Sequence, residues 1–222
     1  MTGDASDGRD PPETSETSET SDTPDTYDDP VAQTLLDGSE FHRRRLAVGI
    51  TRLSQRHKLF AFGAVAGSLA LCLPIGATLP AAVRDGFLGG APLAATPAIL
   101  VVGLFGLGAE LAAGLAVAAV SVRARQQTLT EREALHLVAV DNVATMAGLG
   151  VGTLAVLATL CGFAVGYGGV DLVQTFASPD NGVTGPYTAP ALPLPSVGAV
   201  GVAALVVGGL LTLLGATVEA DA

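Results

Sequence analysis

Four long apolar runs dominate the chain, Leu59 to Pro80, Ala98 to Val120, Val143 to Gly166 and Val197 to Val218, separated by polar or turn-forming segments. At about 1.5 Å per residue, a run of roughly 22 residues reaches about 33 Å, enough for a hydrocarbon core of about 30 Å. None of the runs alternates with the period of two that a barrel strand needs. Backbone polar groups in lipid must be satisfied within their own segment, so the pattern predicts transmembrane helices at 59–80, 98–120, 143–166 and 197–218. The expected fold class is an all-α membrane protein, a four-transmembrane-helix bundle.

The segments between the runs carry the next level of information. Residues 1–38 open with Glu-Thr-Ser triplets and hold almost no apolar side chains. Such a segment cannot bury enough surface to offset its ordering entropy, which predicts a disordered acidic tail. From 39 to 58 the sign reverses: Arg43, Arg44, Arg45, Arg52, Arg56 and Lys58 stand beside Leu46, Ile50 and Leu53 at helical spacing. This reads as a basic juxtamembrane helix whose cations anchor to the membrane surface. Nucleic-acid binding is the weaker reading of the same cluster, because arginines that abut an apolar run more often serve topology, and no nucleic-acid partner is expected. In the link at 121–142, Thr130 and Glu133 have the spacing of a capping box, so a helix should start there and run towards the third span without a Gly or Pro between Glu131 and Val140. The links at 81–97 and 167–196 read as outer loops, the second of them irregular and rich in turn formers.

Basic residues orient the spans. Six flank the first span in 39–58, Arg123, Arg125 and Arg132 lie in the 121–142 link, Arg84 alone lies in 81–97, and 167–196 has none. The bias places both termini in the cytoplasm, with 219–222 as a short cytoplasmic tail. Composition agrees: hydrophobic residues make up 49% of 222 and the mean hydropathy is +0.51. The net charge of −10 is mostly a property of the tail, since 12 of the 21 acidic residues lie in the first 40 positions. No signal peptide is expected, because the first apolar run begins after 58 residues.

The acidic threonine-rich tail, the strong preference for arginine over the single Lys58, and spans built from Ala, Val, Gly and Leu together resemble small multi-pass membrane proteins of extremely halophilic archaea. The resemblance is one of style over the whole chain. It implies a family of unknown function.

Candidate chemistry is sparse. There is no phosphate-binding glycine loop, zinc-protease motif, nucleophile elbow or paired-cysteine metal signature, so an enzyme is not expected and no cofactor, metal or catalytic residue is assigned. Cys72 and Cys161 lie in apolar runs and are expected as free thiols, with Cys72 directed away from the first helix seam. At 100° per residue the small residues line up on one face of each span: Gly63, Gly67, Ala70, Pro74 and Ala77; Gly103, Gly106, Glu110, Gly114 and Val117; Thr145, Gly148, Gly152, Ala155, Thr159, Gly162 and Gly166; Gly201, Leu205, Gly208, Thr212 and Gly215. Such faces let helices approach closely. Glu110 is the ionisable residue inside the four runs, near the bilayer midplane, where a charge costs at least about 2.5 kcal/mol, and it must be neutralised, paired or wet. Thr212, Ser68 and Thr153 are its candidate hydrogen-bond partners. The expected role is a non-enzymatic accessory or structural subunit in the cell membrane, with the lipid bilayer and a membrane-protein partner or second copy as its contacts. The alternative is a small transporter or channel that uses the intramembrane carboxylate of Glu110.

Overall fold

The computed structural model describes residues 53–126, 129–177, 185–190 and 193–220. The acidic tail and most of the basic segment, with Arg43, Arg44, Arg45 and Arg52, lie outside the described residues. All regular structure within them is helical, and four helices are long and apolar enough to cross a membrane, so the chain is a multi-pass membrane protein.

The first span begins at α1, Gln55–Ser68, whose amino end is capped by the Ser54 hydroxyl accepting from the His57 N–H. Residues 55–58 therefore belong to the span and not to a separate surface helix. A 3₁₀ turn, Leu69–Leu71, leads into α2, Cys72–Thr78. Pro74 has no N–H to offer the turn before it, which accounts for tighter winding at this point. The changed winding also rotates the buried face. Cys72 is fully buried while Pro74 and Ala77 are exposed, so the predicted outward direction of Cys72 and the outer half of the predicted stripe are both corrected. Both cysteines are free thiols, Cys161 exposed.

A short helix α3, Ala81–Phe87, precedes the second span, α4, Leu100–Gln126. The third span starts at α5, Glu131–Met146, on the predicted capping box: Glu133 N–H meets the Thr130 hydroxyl, and the Glu133 carboxylate accepts from the Thr130 N–H at 3.0 Å. It continues without a break through a π-helical segment, Ala147–Gly152, into α6, Thr153–Ala164. Three glycines in the six π-helical residues lower the cost of leaving α geometry. A 3₁₀ turn, Val165–Gly168, then leads into α7, Gly169–Phe176, a helix inside the stretch expected to be irregular loop. The fourth span is α8, Val197–Ala220.

Glycines set the helix spacing. The most extensive packing is between α1 and α8, where a Cβ on Gly208 would stand 2.7 Å from the Gly63 carbonyl and 2.9 Å from the Gly67 nitrogen. These backbones touch because neither residue has a side chain. Gly103 and Gly106 of α4 lie against Thr159, Ala155 and Val156 of α6, and Gly148 lies against Phe62 and Ala113. The predicted stripes of α4 and the third span are buried almost throughout. In α8 the buried face runs through Ala204 and Leu211, whereas Leu205 is exposed, which corrects that stripe. Lipid is as apolar as leucine, so close backbone approach at Gly208 decides which side faces inward and the bulkier Leu205 turns to the bilayer.

At the opposite end of the bundle from the start of α1, the two loops cap each other's spans. The carbonyls of Thr188 and Pro186 accept from the amino-terminal N–H groups of Ala98 and Ile99, and those of Ala95 and Leu93 accept from Val197 and Gly198. Orphan donors at two helix starts are thus satisfied by backbone alone. Tyr187 is buried beneath this layer; its hydroxyl donates to the Phe163 carbonyl at 2.5 Å and its ring meets Phe163 edge-on at 6.1 Å. Burial pushes its phenol up to about 12, which keeps the hydroxyl a donor.

Candidate functional site

Two polar sites are buried inside the bundle. The first surrounds Glu110, which α4 carries between Gly106 and Gly114 on its glycine face. Its side chain is fully buried and points at the π-helical segment of the third span. Gly152 makes the room: a Cβ there would lie 2.7 Å from Glu110 Oε1 and 3.1 Å from its Cγ. A Cβ on Gly106 would lie 3.1 Å from the Gly152 carbonyl, so the two backbones close in just below the carboxyl group.

Of the three candidate partners, Thr153 is the one that reaches Glu110. Its hydroxyl donates to Oε1 at 3.5 Å, the long edge of hydrogen bonding. A uniform 100° projection places Thr153 off the seam, but it follows directly on the widened π turn and is adjacent to Gly152. Ser68 and Thr212 instead return their hydroxyls to their own helices, to the carbonyls of Val65 at 2.7 Å and Gly208 at 2.8 Å. They are not partners of Glu110. Its second oxygen, Oε2, is buried with no hydrogen-bond partner among the described residues. A carboxyl group held loosely on one oxygen and open on the other can take up and release a proton, or accept a hydrogen bond from a moving group.

The second site was not anticipated. Lys58, expected as a surface anchor, is fully buried and its Nζ lies 2.7 Å from Asp141 Oδ2, which is itself 1% exposed. The pair joins α1 to α5 at the end of the bundle where α1 begins. The sequence carried a signal for it: opposite charges stand at the same end of two neighbouring spans, one residue before the first apolar run and two before the third. Arg56, the described neighbour in the anchor set, is half-buried and lies 5.1 Å from the centre of the Phe60 ring. Nearby, Ser121 Oγ and Gln55 Oε1 are 2.5 Å apart, and Arg125 donates to the Val218 carbonyl at the carboxyl end of α8. The charged and polar tethers at this end hold α1, α4, α5 and α8 in register.

Neither site gathers three metal-ligating side chains among the described residues. Comparison with protein-family models, with curated proteins and with solved structures yields no match, so the chain's chemistry has to be read from its own geometry.

Proposed function

We propose that this protein is a non-enzymatic accessory or structural subunit of the cell membrane, with both termini cytoplasmic. The observation that carries the reading is the state of the glycine seams. Atoms of neighbouring helices lie within contact distance of where Cβ atoms would stand at Gly63, Gly103, Gly106, Gly114, Gly148 and Gly208, so these small residues serve packing. Glycines on the outside are different: Gly108, Gly150 and Gly209 face open space on three different helices, where a partner's helix can come close. Purification in mild detergent tests the proposal. A reproducible co-purifying membrane protein supports it; a lone species that dissipates an ion gradient in liposomes overturns it. For orientation, single cysteines at Thr20, Ala91, Gln127 and Ala189 in a cysteine-free background should react with an impermeant reagent on intact cells only at 91 and 189.

A second reading is favoured by one specific observation, the buried and half-satisfied carboxyl of Glu110 beside a π-helical segment. Intramembrane carboxyl groups commonly mark ion routes, and π segments recur at functional sites. On this reading the protein is a small proton or cation conduit. Glu110→Gln separates the two: loss of a measured flux with assembly intact establishes the conduit, whereas a parent protein that carries no flux under any imposed gradient excludes it.

A further inference from the structure

A groove runs down the side of the bundle between α4 and the third span. At its inner end it opens into a cleft of about 590 Å³ that bears Arg123, Arg132 and His136. Deeper in, it becomes an almost wholly apolar trough of about 440 Å³ whose walls include Ala109, Ala112, Ala139 and Val143. Ala116 and Val140 line both parts, so the two are one continuous groove with a cationic mouth and an alanine-lined floor.

We infer that this groove is a binding site for one anionic phospholipid, its phosphate between Arg123 and Arg132 and an acyl chain laid along the alanine trough. Charge supports the assignment first. Neither guanidinium has a hydrogen bond or ion pair among the described residues, and the one carboxylate in the cleft, Glu133, is already engaged by the N–H and hydroxyl of Thr130. Arg123 acts on Glu133 only through its longer-range field. Two guanidinium forks on facing helices suit a phosphate oxygen set. Length supports it next. From Arg123 to Ala109 is 14 residues of α4, about 21 Å at 1.5 Å per residue, which equals half of a bilayer about 40–45 Å thick with its headgroups. A lipid of this leaflet therefore matches the groove from mouth to floor. The small side chains matter because each alanine leaves the width that a hydrocarbon chain fills. Residues 1–38 supply carboxylates but no phosphate, and only Val31, Leu35 and Leu36 as large aliphatic side chains. The inference does not depend on the role of Glu110.

The test is lipid retention by the full-length protein, delipidated in detergent and titrated with phosphatidylglycerol or phosphatidylcholine, read by native mass spectrometry and by Tm. One phosphatidylglycerol should be retained per chain, more tightly than phosphatidylcholine. Arg123→Gln with Arg132→Gln should weaken its retention roughly tenfold or more, the loss expected when charge-assisted bonds to phosphate are removed. Ala112→Phe with Ala139→Phe should abolish retention while both arginines remain, and this pair reads the trough even if the arginine variant does not fold. Equal retention of the two lipids overturns the inference, as does a preference that survives both variants. Displacement by glycerol 3-phosphate as effective as that by the lipid would assign the cleft to a soluble anion instead. A preference seen only after the acidic residues of 1–38 are neutralised would make the tail the occupant.

Discussion

The seam between α1 and α8 and the seam between α4 and the third span use the same residue for different ends. In the first, Gly208 meets backbone: the Gly63 carbonyl and the Gly67 nitrogen and Cα lie at 2.7 to 3.0 Å from where its Cβ would be. In the second, Gly152 meets a side chain, the carboxyl arm of Glu110. A glycine against backbone sets how close two helices come. A glycine against a carboxyl group makes a niche for a polar atom, and it does so where the helix has widened into π geometry. The first seam is finished as packing, while the second holds a carboxyl oxygen that the described residues leave without a hydrogen bond.

The tether that keeps the two seams in register should give the largest effect. Lys58→Met leaves Asp141 buried beside an apolar side chain, and removal of one member of a buried pair costs about 3–5 kcal/mol. The loss should appear in denaturant unfolding in micelles. Lys58→Met with Asp141→Leu should recover most of it, because an apolar pair avoids the desolvation of both ions. If the double variant is no more stable than the single one, the pair does more than tether.

Next in size is the contrast between the glycines themselves. Gly208→Ala should cost about 1–3 kcal/mol, since the methyl group meets backbone that only a shift of α1 against α8 can move. Gly152→Ala should cost less, because Glu110 can swing aside. The sharper test is a double-mutant cycle: in a Glu110→Ala background, Gly152→Ala should cost almost nothing, while Gly208→Ala should cost as much as before. Coupling of Glu110 to Gly208 instead would dissolve the distinction between the seams.

How much of this was legible in the sequence follows the same division. The four spans, the capping box at Thr130 and the stripes of α4 and the third span follow from periodicity, because α4 winds regularly and the π-helical segment of the third span still leaves Gly148 and Gly152 on the buried face. The stripe of the first span fails after Ser68, where a 3₁₀ turn ahead of Pro74 changes the phase and brings Cys72 inward. In α8, hydropathy could not choose between Ala204 and Leu205, since neither gains from leaving lipid. The neighbourhood of Lys58, a run of arginines, predicts a surface anchor, whereas the side chain pairs with Asp141, 83 positions away. The helix α7 lies in a segment whose later glycines and prolines predict irregular loop throughout. The π segment left no mark on the stripe, because Gly148 and Gly152 are both buried and the period across them looks ordinary. It shows only in what it brings together.

The smallest effect expected is at the contact that most tempts a functional reading. Thr153 donates to Glu110 Oε1 at 3.5 Å, and hydrogen bonds between membrane helices average about 0.6 kcal/mol even when well formed. Thr153→Val should therefore change stability by no more than about that amount. Glu110→Gln should be equally mild, because it keeps the shape and the capacity to hydrogen-bond while removing the proton-transfer chemistry. Stability alone cannot then distinguish a packing carboxyl from a working one, and the pair of variants is informative for that reason. If both unfold the protein, Glu110 is a structural hub and its open oxygen has a partner of consequence. If both leave stability and assembly untouched, a lost flux in Glu110→Gln that Thr153→Val only slows would assign the carboxyl to transport and the threonine to holding one of its oxygens.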